Sequence, residues 1–483
     1  MIRCSRRFVG GLLGASLLLL PTWGAAQSFS SGSTGADGPF NPTCSPTPCT
    51  VTVALPPSGV FNFTTITVPS GVTVALTRNA ANTPAILLAT GAVTLSGTLD
   101  GSGSNGSPLT RPGLGGPGGF EGGKGADSLT QSAGGYGLGP GGGRAGVGWT
   151  AGGGGGSYGG SGGGGGPCTN CTGLPLGTGG AAGSTYGTDA LQPLLGGSGG
   201  GGGGSFVGNG PTGGGGGGGG GAILIASSTS INLGSSFGVV TVRASGGAGA
   251  FGSGTNAGGG GGSGGAIRLI ANTISGSGQL VAPGGFGASP NGGSGGLGRI
   301  RVEASTLTYN GSTFPASPTS LPQAVFPPSG NPNLAIASVG GLAAPATSVG
   351  SILAAPDILL PLGTTNPVPV TLTASNIPLG TTIQVTATPQ SGTPTSAISS
   401  GLSGTLPSST ATATLTLSLT QVSVLTATAT FPLVASAGSG PIYAEGEEVK
   451  WVRVAATLRS PSQLTYITAS GREVPAEKIA WRW

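Results

Sequence analysis

Gly213-Gly-Gly-Gly-Gly-Gly-Gly-Gly-Gly221 runs without a break into Ala222-Ile-Leu-Ile-Ala226, and this junction decides how the chain is read. The nine glycines close a block, 101–221, in which nearly every second residue is glycine, with further runs at 152–156 and 162–166. Glycine has no side chain to bury and loses the most backbone entropy on ordering. Such a block has two physical options. It stays a solvated coil, as Gly/Ser linkers do, or it packs backbone on backbone in extended helices of three residues per turn, which approach closely because no Cβ intervenes. The absence of a strict Gly-X-Y period excludes collagen. Two cysteines, scattered prolines and repeated Gly-Gly-X spacing favour the ordered option.

The apolar half of the junction recurs. Gly221-Ala-Ile-Leu-Ile-Ala226 is followed by Ser230-Ile-Asn-Leu233 and Val239-Val-Thr-Val-Arg-Ala-Ser-Gly-Gly247. Gly265-Ala-Ile-Arg-Leu-Ile-Ala271 starts the same unit again, Leu297-Gly-Arg-Ile-Arg-Val-Glu-Ala304 a third time, and Pro84-Ala-Ile-Leu-Leu-Ala89 precedes the block. Each unit is a short strand, a turn, further strands and a Gly-Gly exit, roughly 22 residues per turn. Upstream, Val51-Thr-Val-Ala-Leu55, Phe61-Asn-Phe-Thr-Thr-Ile-Thr-Val68 and Val72-Thr-Val-Ala-Leu76 alternate apolar and polar residues between Pro/Gly turns. Repetition of short strands without helices predicts a right-handed parallel β-solenoid over 51–304, capped by 27–50, with 101–220 as an insert at one corner.

The rest of the chain reads differently. Residues 305–332 are polar and proline-rich, a linker. About seven alternating strands in roughly 100 residues over 333–435 predict an immunoglobulin-like β-sandwich, although that stretch has neither cysteine nor tryptophan. Residues 436–483 form a small β appendage; from 445 onward they hold 11 charged residues and three tryptophans, Trp451, Trp481 and Trp483. Those three are a candidate ligand platform, set against a plain docking role.

Composition bounds the function. The 483 residues include 106 Gly and no His, with 17 basic and 12 acidic side chains. Arg3, Arg6 and Arg7 precede the apolar run 8–20, which ends at Pro21 and Gly24-Ala25-Ala26, so residues 1–26 read as a secretory signal peptide. No other run approaches the ~20 apolar residues that span a bilayer, so no membrane span is expected after signal removal. Without the three arginines the charge falls to 14 basic against 12 acidic. No basic patch interleaved with aromatics is present, which argues against a nucleic-acid partner. Behind the signal lie Cys44, Cys49, Cys168 and Cys171, an even count that reads as disulfides in an oxidising compartment. Three connectivities are open, and proximity favours Cys44–Cys49 and Cys168–Cys171.

Catalysis is not expected. Without histidine there is no Ser/His/Asp or Cys/His set. The solenoid and insert offer only Asp100, Glu121, Asp127, Asp189 and Glu303 as acids, none two residues from another. Arg243, Arg268, Arg299 and Arg301 read as solvated positions on the rungs. No metal and no cofactor are expected, since a Gly/Asp calcium repeat and a phosphate-binding Lys-Ser/Thr loop are both missing.

Over about 80–304, the Gly-Gly-Ala-Ile-x-Leu-Ile-Ala rungs and the glycine block resemble bacterial secreted glycine-rich β-solenoid proteins of the adhesin-like kind. In composition alone the block is also similar to the repeats of mycobacterial PE-PGRS proteins, whose amino-terminal helical pair is absent here, to glycine-rich phage tail adhesins and to the snow-flea antifreeze protein. The resemblance implies a secreted or cell-surface structural or adhesive role, with self-assembly or a surface polysaccharide as partner, and transfers no functional residue. Two alternatives stand beside it. One is a polysaccharide-binding or polysaccharide-cleaving solenoid. The other is an ice-binding protein, for which Thr64, Thr65 and Thr67 supply one rung but not a row.

Overall fold

The computed structural model describes residues 28–475 except 109, 128–131, 168–176, 207, 209–211, 235–239, 254–256, 290, 327–331, 346–350, 354, 434–442, 445–446 and 458–461. The expected signal peptide, Cys168, Cys171, Trp481 and Trp483 lie outside these residues. The protein is all-β, with no α-helix among the described residues.

Residues 38–320 build two parallel sheets whose strands follow strict chain order. The first contains Gly38–Phe40, Val60–Val68, Ala85–Ala89, Ala222–Asn232, Ala266–Gly276, Arg299–Tyr309 and Thr319–Ser320, with Val93–Leu95 beside them. The second contains Cys49–Ala54, Val72–Thr77, Thr98–Asp100, Val240–Arg243, Gln279–Val281 and Thr313–Phe314. The chain visits the sheets alternately, and each visit adds one strand parallel to the last. The exception is the visit over 85–95, which lays down two, Ala85–Ala89 and Val93–Leu95, end to end between Val60–Val68 and Ala222–Asn232. Inward residues of both sheets, among them Ile66, Leu99, Ile231, Val242, Ile274 and Leu280, form one buried core. In 222–227 every residue is buried, because Leu224 and Ala226 on the outer face pack with Phe29, Leu194 and Val325. That double burial explains why 222–226 is continuously apolar where the continuation, 228–232, is polar but for Ile231. The expected linker at 305–332 begins as sheet: its first half completes one strand and supplies two more.

Three excursions leave the second sheet after Asp100, Arg243 and Val281 and re-enter the first at Ala222, Ala266 and Arg299. They pack into an ordered slab held by main-chain hydrogen bonds. The run 213–221 shows how. Gly213, Gly216 and Gly219 donate to the carbonyls of Ala126, Gly123 and Phe120; Gly214, Gly217 and Gly220 donate to Ala257, Gly260 and Ser263; Gly218 and Gly221 donate to Ser104 and Gly101. Its own carbonyls accept from three more segments, through Gly203, Gly200 and Gly197, through Gly113 and Gly116, and through Ala250 and Gly247. Each neighbour is met at every third residue, the signature of a helix with three residues per turn and about 3.1 Å rise. Six segments surround the run.

Glycine is required here for space, since no residue of 213–221 has a positive φ. A Cβ on Gly216 or Gly217 would collide with the main-chain oxygen of Gly200 or Gly247. At Gly152, Gly153 and Gly154 the colliding oxygens belong to three different segments, those of Asn291, Gly201 and Ala181. No face of the run is free to carry a side chain.

Residues 333–475 form two antiparallel sheets around one core. The first orders Leu342–Ala343, Asn333–Val339, Val368–Ser375, Ser408–Leu415 and Ser403–Thr405. The second orders Thr395–Ile398, Ile383–Pro389, Ser423–Pro432, Glu447–Thr457, Gln463–Thr468 and Glu473–Pro475, with Tyr443–Ala444 paired to its 447–457 strand. Val370, Leu372, Val385, Ala427 and Val454 from both sheets share that core. The strands expected as a carboxy-terminal appendage are hydrogen-bonded into the second sheet through the 423–432 strand, because Val452, Val454 and Ala456 carry the alternation that this core needs.

Gly217→Ala places a methyl against the Gly247 oxygen, whereas at Gly164 the nearest atom to an added Cβ is 3.8 Å away. Gly217→Ala is expected to cost about 1–3 kcal/mol by overpacking, and Gly164→Ala to stay within about 0.5 kcal/mol. Denaturant unfolding of the two variants checks this; equal effects would contradict a close-packed slab.

Candidate functional site

Ionisable groups are sparse, and most of the acids can be followed to a partner. Asp100 lies 3.6 Å from Arg243 and accepts a hydrogen bond from the Ser102 amide. Glu121 is buried; one oxygen takes Arg78 Nη2 at 2.6 Å and the other the Ile352 amide at 2.9 Å. It therefore joins the glycine slab to the antiparallel half of the chain. Asp189 pairs with Arg299, and Asp127 is half-buried in the slab.

The densest cluster sits on the outer face of the first parallel sheet. Register places Arg268 beside Arg301 and Ile270 beside Glu303, so Glu303 lies diagonal to Arg268 on the next strand. The pair is bidentate: Arg268 Nε to Glu303 Oε1 at 2.9 Å and Nη2 to Oε2 at 3.3 Å. Arg301 Nε also donates to Oε1, at 2.7 Å, and the Gln323 amide donates to Oε2 at 2.8 Å. The remaining guanidinium donors of Arg268 reach the carbonyls of Ala324 and Val325. Arg268 and Glu303 are 1% and 0% exposed. Of the arginines expected to be solvated, Arg243 has a side chain 43% exposed, whereas Arg268, Arg299 and Arg301 are covered, because the 321–325 segment lies over Arg268 and the 186–189 loop over Arg299 and Arg301. The cluster clamps a chain segment to the sheet; with every carboxylate oxygen engaged, it offers no group to a substrate.

At the slab's base, the Tyr158 and Tyr186 rings lie 4.8 Å apart, and the Arg299 guanidinium stands 5.6 Å from the centre of Tyr158. Tyr186 donates to the Gly196 carbonyl and receives a bond from Ser198, whose Oγ also accepts the Gly141 amide. Burial pushes the Tyr186 phenol well above its ordinary value, outweighing the opposing Ser198 bond. The phenols and Ser198 form a neutral hydrogen-bonded network that seats the slab on the sheets, while the Arg299 Nε beside it is buried without a hydrogen-bond partner.

A cleft of about 560 Å³ opens between Pro84, Phe120 and Leu195 on one side and Leu360, Leu419 and Leu425 on the other. Its lining is mostly apolar, Asp357 is its one ionisable group among the described residues, and Ser423 Oγ in its wall has no hydrogen-bond partner. Such a cleft can hold an apolar group but contributes no acid–base pair.

Of the residues singled out from sequence, Cys44 and Cys49 form a disulfide, which closes the loop before the first strand of the second parallel sheet. Trp451 is 46% exposed on the 447–457 strand, opposite Pro432 and Ile467. Among the described residues no three His, Cys, Asp or Glu side chains converge as a metal site would need, and no helix is long and apolar enough to cross a membrane. The Arg268–Glu303 pair was missed in sequence, yet the repeat alignment carries its signal: Ile-Arg-Leu-Ile over Ile-Arg-Val-Glu puts the acid one strand away from the base. Comparison with protein-family models, curated proteins and solved structures finds no match to this chain.

Arg268→Met leaves Glu303 buried with half its partners and is expected to cost about 3–5 kcal/mol. Arg268→Met combined with Glu303→Leu removes both charges and is expected to restore much of that loss. Equal unfolding midpoints for wild type and Arg268→Met would show that the pair does not clamp the 321–325 segment.

Proposed function

We propose that this chain is an exported structural or adhesive surface protein without catalytic activity, built on a right-handed parallel β-solenoid. In this reading the two parallel sheets are faces of one coil, and the antiparallel half is an immunoglobulin-like module. The coil is supported by the alternation of the chain between the sheets, with parallel strands added at each visit in strict order. The observation that carries the functional reading is the glycine slab. A large part of the chain is committed to a surface of saturated main chain with almost no charge. Such a surface has little self-repulsion to oppose packing against copies of itself or against a neutral glycan coat. The engaged state of Asp100, Glu121, Asp189 and Glu303 weighs against the polysaccharide-cleaving alternative. A disulfide at Cys44–Cys49 fits an oxidising compartment.

The test is fractionation of the native cell with an antibody to the chain, followed by a glycan-array and a polysaccharide-turnover assay on the same material. The expected result is a chain outside the cytosol that binds a surface glycan or itself and turns over no polysaccharide. A cytosolic chain would overturn export, and steady turnover would overturn the non-catalytic role.

A further inference from the structure

One face of the first parallel sheet carries a two-dimensional array of small polar side chains, hydroxyls at every position but Asn232, whose side-chain oxygen accepts the Gly234 amide. The register aligns Thr67, Thr94, Asn232, Ser275 and Thr308 in one column across five strands. Two residues earlier, Ser230, Thr273 and Thr306 form a second column, and Thr65 stands in the same relation to Thr67 on its own strand. The residues between the columns on the first four strands, Ile66, Val93, Ile231 and Ile274, point inward and are fully buried, so those rungs are pinned from below, while on the fifth strand the corresponding Leu307 is exposed. Neighbouring strands are about 4.8 Å apart and alternate residues about 6.6 Å, so the array repeats on a fixed grid spanning about 19 Å.

Three properties narrow what such a grid can meet. The columns carry no charge, which removes an ionic partner. They carry no aromatic ring, the usual stacking surface for a sugar. Among the described residues the threonine hydroxyls of the columns have no hydrogen-bond partner, whereas Thr98 and Thr241 on the second sheet donate to the carbonyls of Val240 and Gln279. The amino-terminal segment crosses the rungs at the adjoining corner, through Ser31 to Ala89, Ser33 to Phe63 and Asn272 to Phe29. Both columns are left beside it, exposed at Thr67, Asn232, Thr306 and Thr308 and half-buried at Thr94, Ser230, Thr273 and Ser275. Hydroxyls held at fixed spacing bind water in register, and the threonine methyls between them order it further. The oxygen rows of an ice prism face repeat on the same scale in both directions.

We infer that this face binds the surface of ice. The partner is the water lattice itself, and the site is the pair of columns; the glycine slab plays no part. This goes beyond the adhesive reading and does not depend on it.

The experiment measures freezing hysteresis, crystal shape and recrystallisation with the purified full chain. Wild type is expected to shape growing crystals and open a hysteresis gap. Thr273→Tyr with Thr308→Tyr raises two rings from the plane and is expected to abolish the gap. Thr67→Tyr, at the opposite end of the column, provides a separate disruption should the double variant fail to fold. Thr414→Tyr, on an exposed position of the antiparallel half, is expected to leave the gap unchanged. Unaltered ice growth with folded wild type overturns the inference. So does a gap that survives the column variants, or a chain retained by crystalline cellulose or chitin but excluded from ice.

Discussion

A main-chain amide with no side chain beside it still needs an acceptor once it leaves water, and that requirement shapes this molecule. In the glycine slab the inner runs, such as 152–156, 199–204 and 213–221, are enclosed by others, because enclosure is how their amides and carbonyls are satisfied without side chains. The result is an interior with almost no hydrophobic contribution. Its order comes from hydrogen bonds and close contact between backbones, and the entropy lost in ordering so many glycines is large. Such a slab cannot be expected to form alone. It needs a template.

The parallel sheets are that template. Asp100 pairs with Arg243 as the last rung of the second sheet, and the same ladder then runs on into the slab through Gly101 to Arg243, Gly103 to Ser245 and Gly106 to Ala248. On the return side, Ala266 donates to Gly221 and Arg299 to Gly265 as the strands begin. The repeat of two residues in the sheet thus becomes a repeat of three in the slab without losing partners. The buried core of Ile, Leu and Val sets the spacing of the three excursions, and the slab inherits it. Charged residues serve as rare fasteners: Glu121 ties the slab to the antiparallel half, Arg268 with Glu303 holds the 321–325 segment, and Arg299 seats against Tyr158.

Much of this was legible in the sequence because the cues were local. Period-two alternation marked 60–68, 72–77 and 368–375, and the recurrence of Ala-Ile-x-Leu-Ile-Ala marked neighbouring strands. The packing of the slab followed in kind but not in detail, since a run of nine glycines gives no register of its own. The burial of Arg268 was invisible because it depends on a segment more than fifty residues downstream folding back over it. The hydroxyl columns were hidden for the same reason. Ser230-Ile-Asn and Thr273-Ile-Ser look unrelated to Thr65-Ile-Thr until the rungs are placed side by side.

The central claim, an enclosed main-chain slab templated by the sheets, is tested most directly by amide hydrogen exchange across 197–204 and 213–221. The account predicts protection comparable to that of the apolar strand 222–227, lost together with it on unfolding. Exchange in the glycine runs at the rate of an open Gly/Ser chain, beside a protected 222–227, would contradict it.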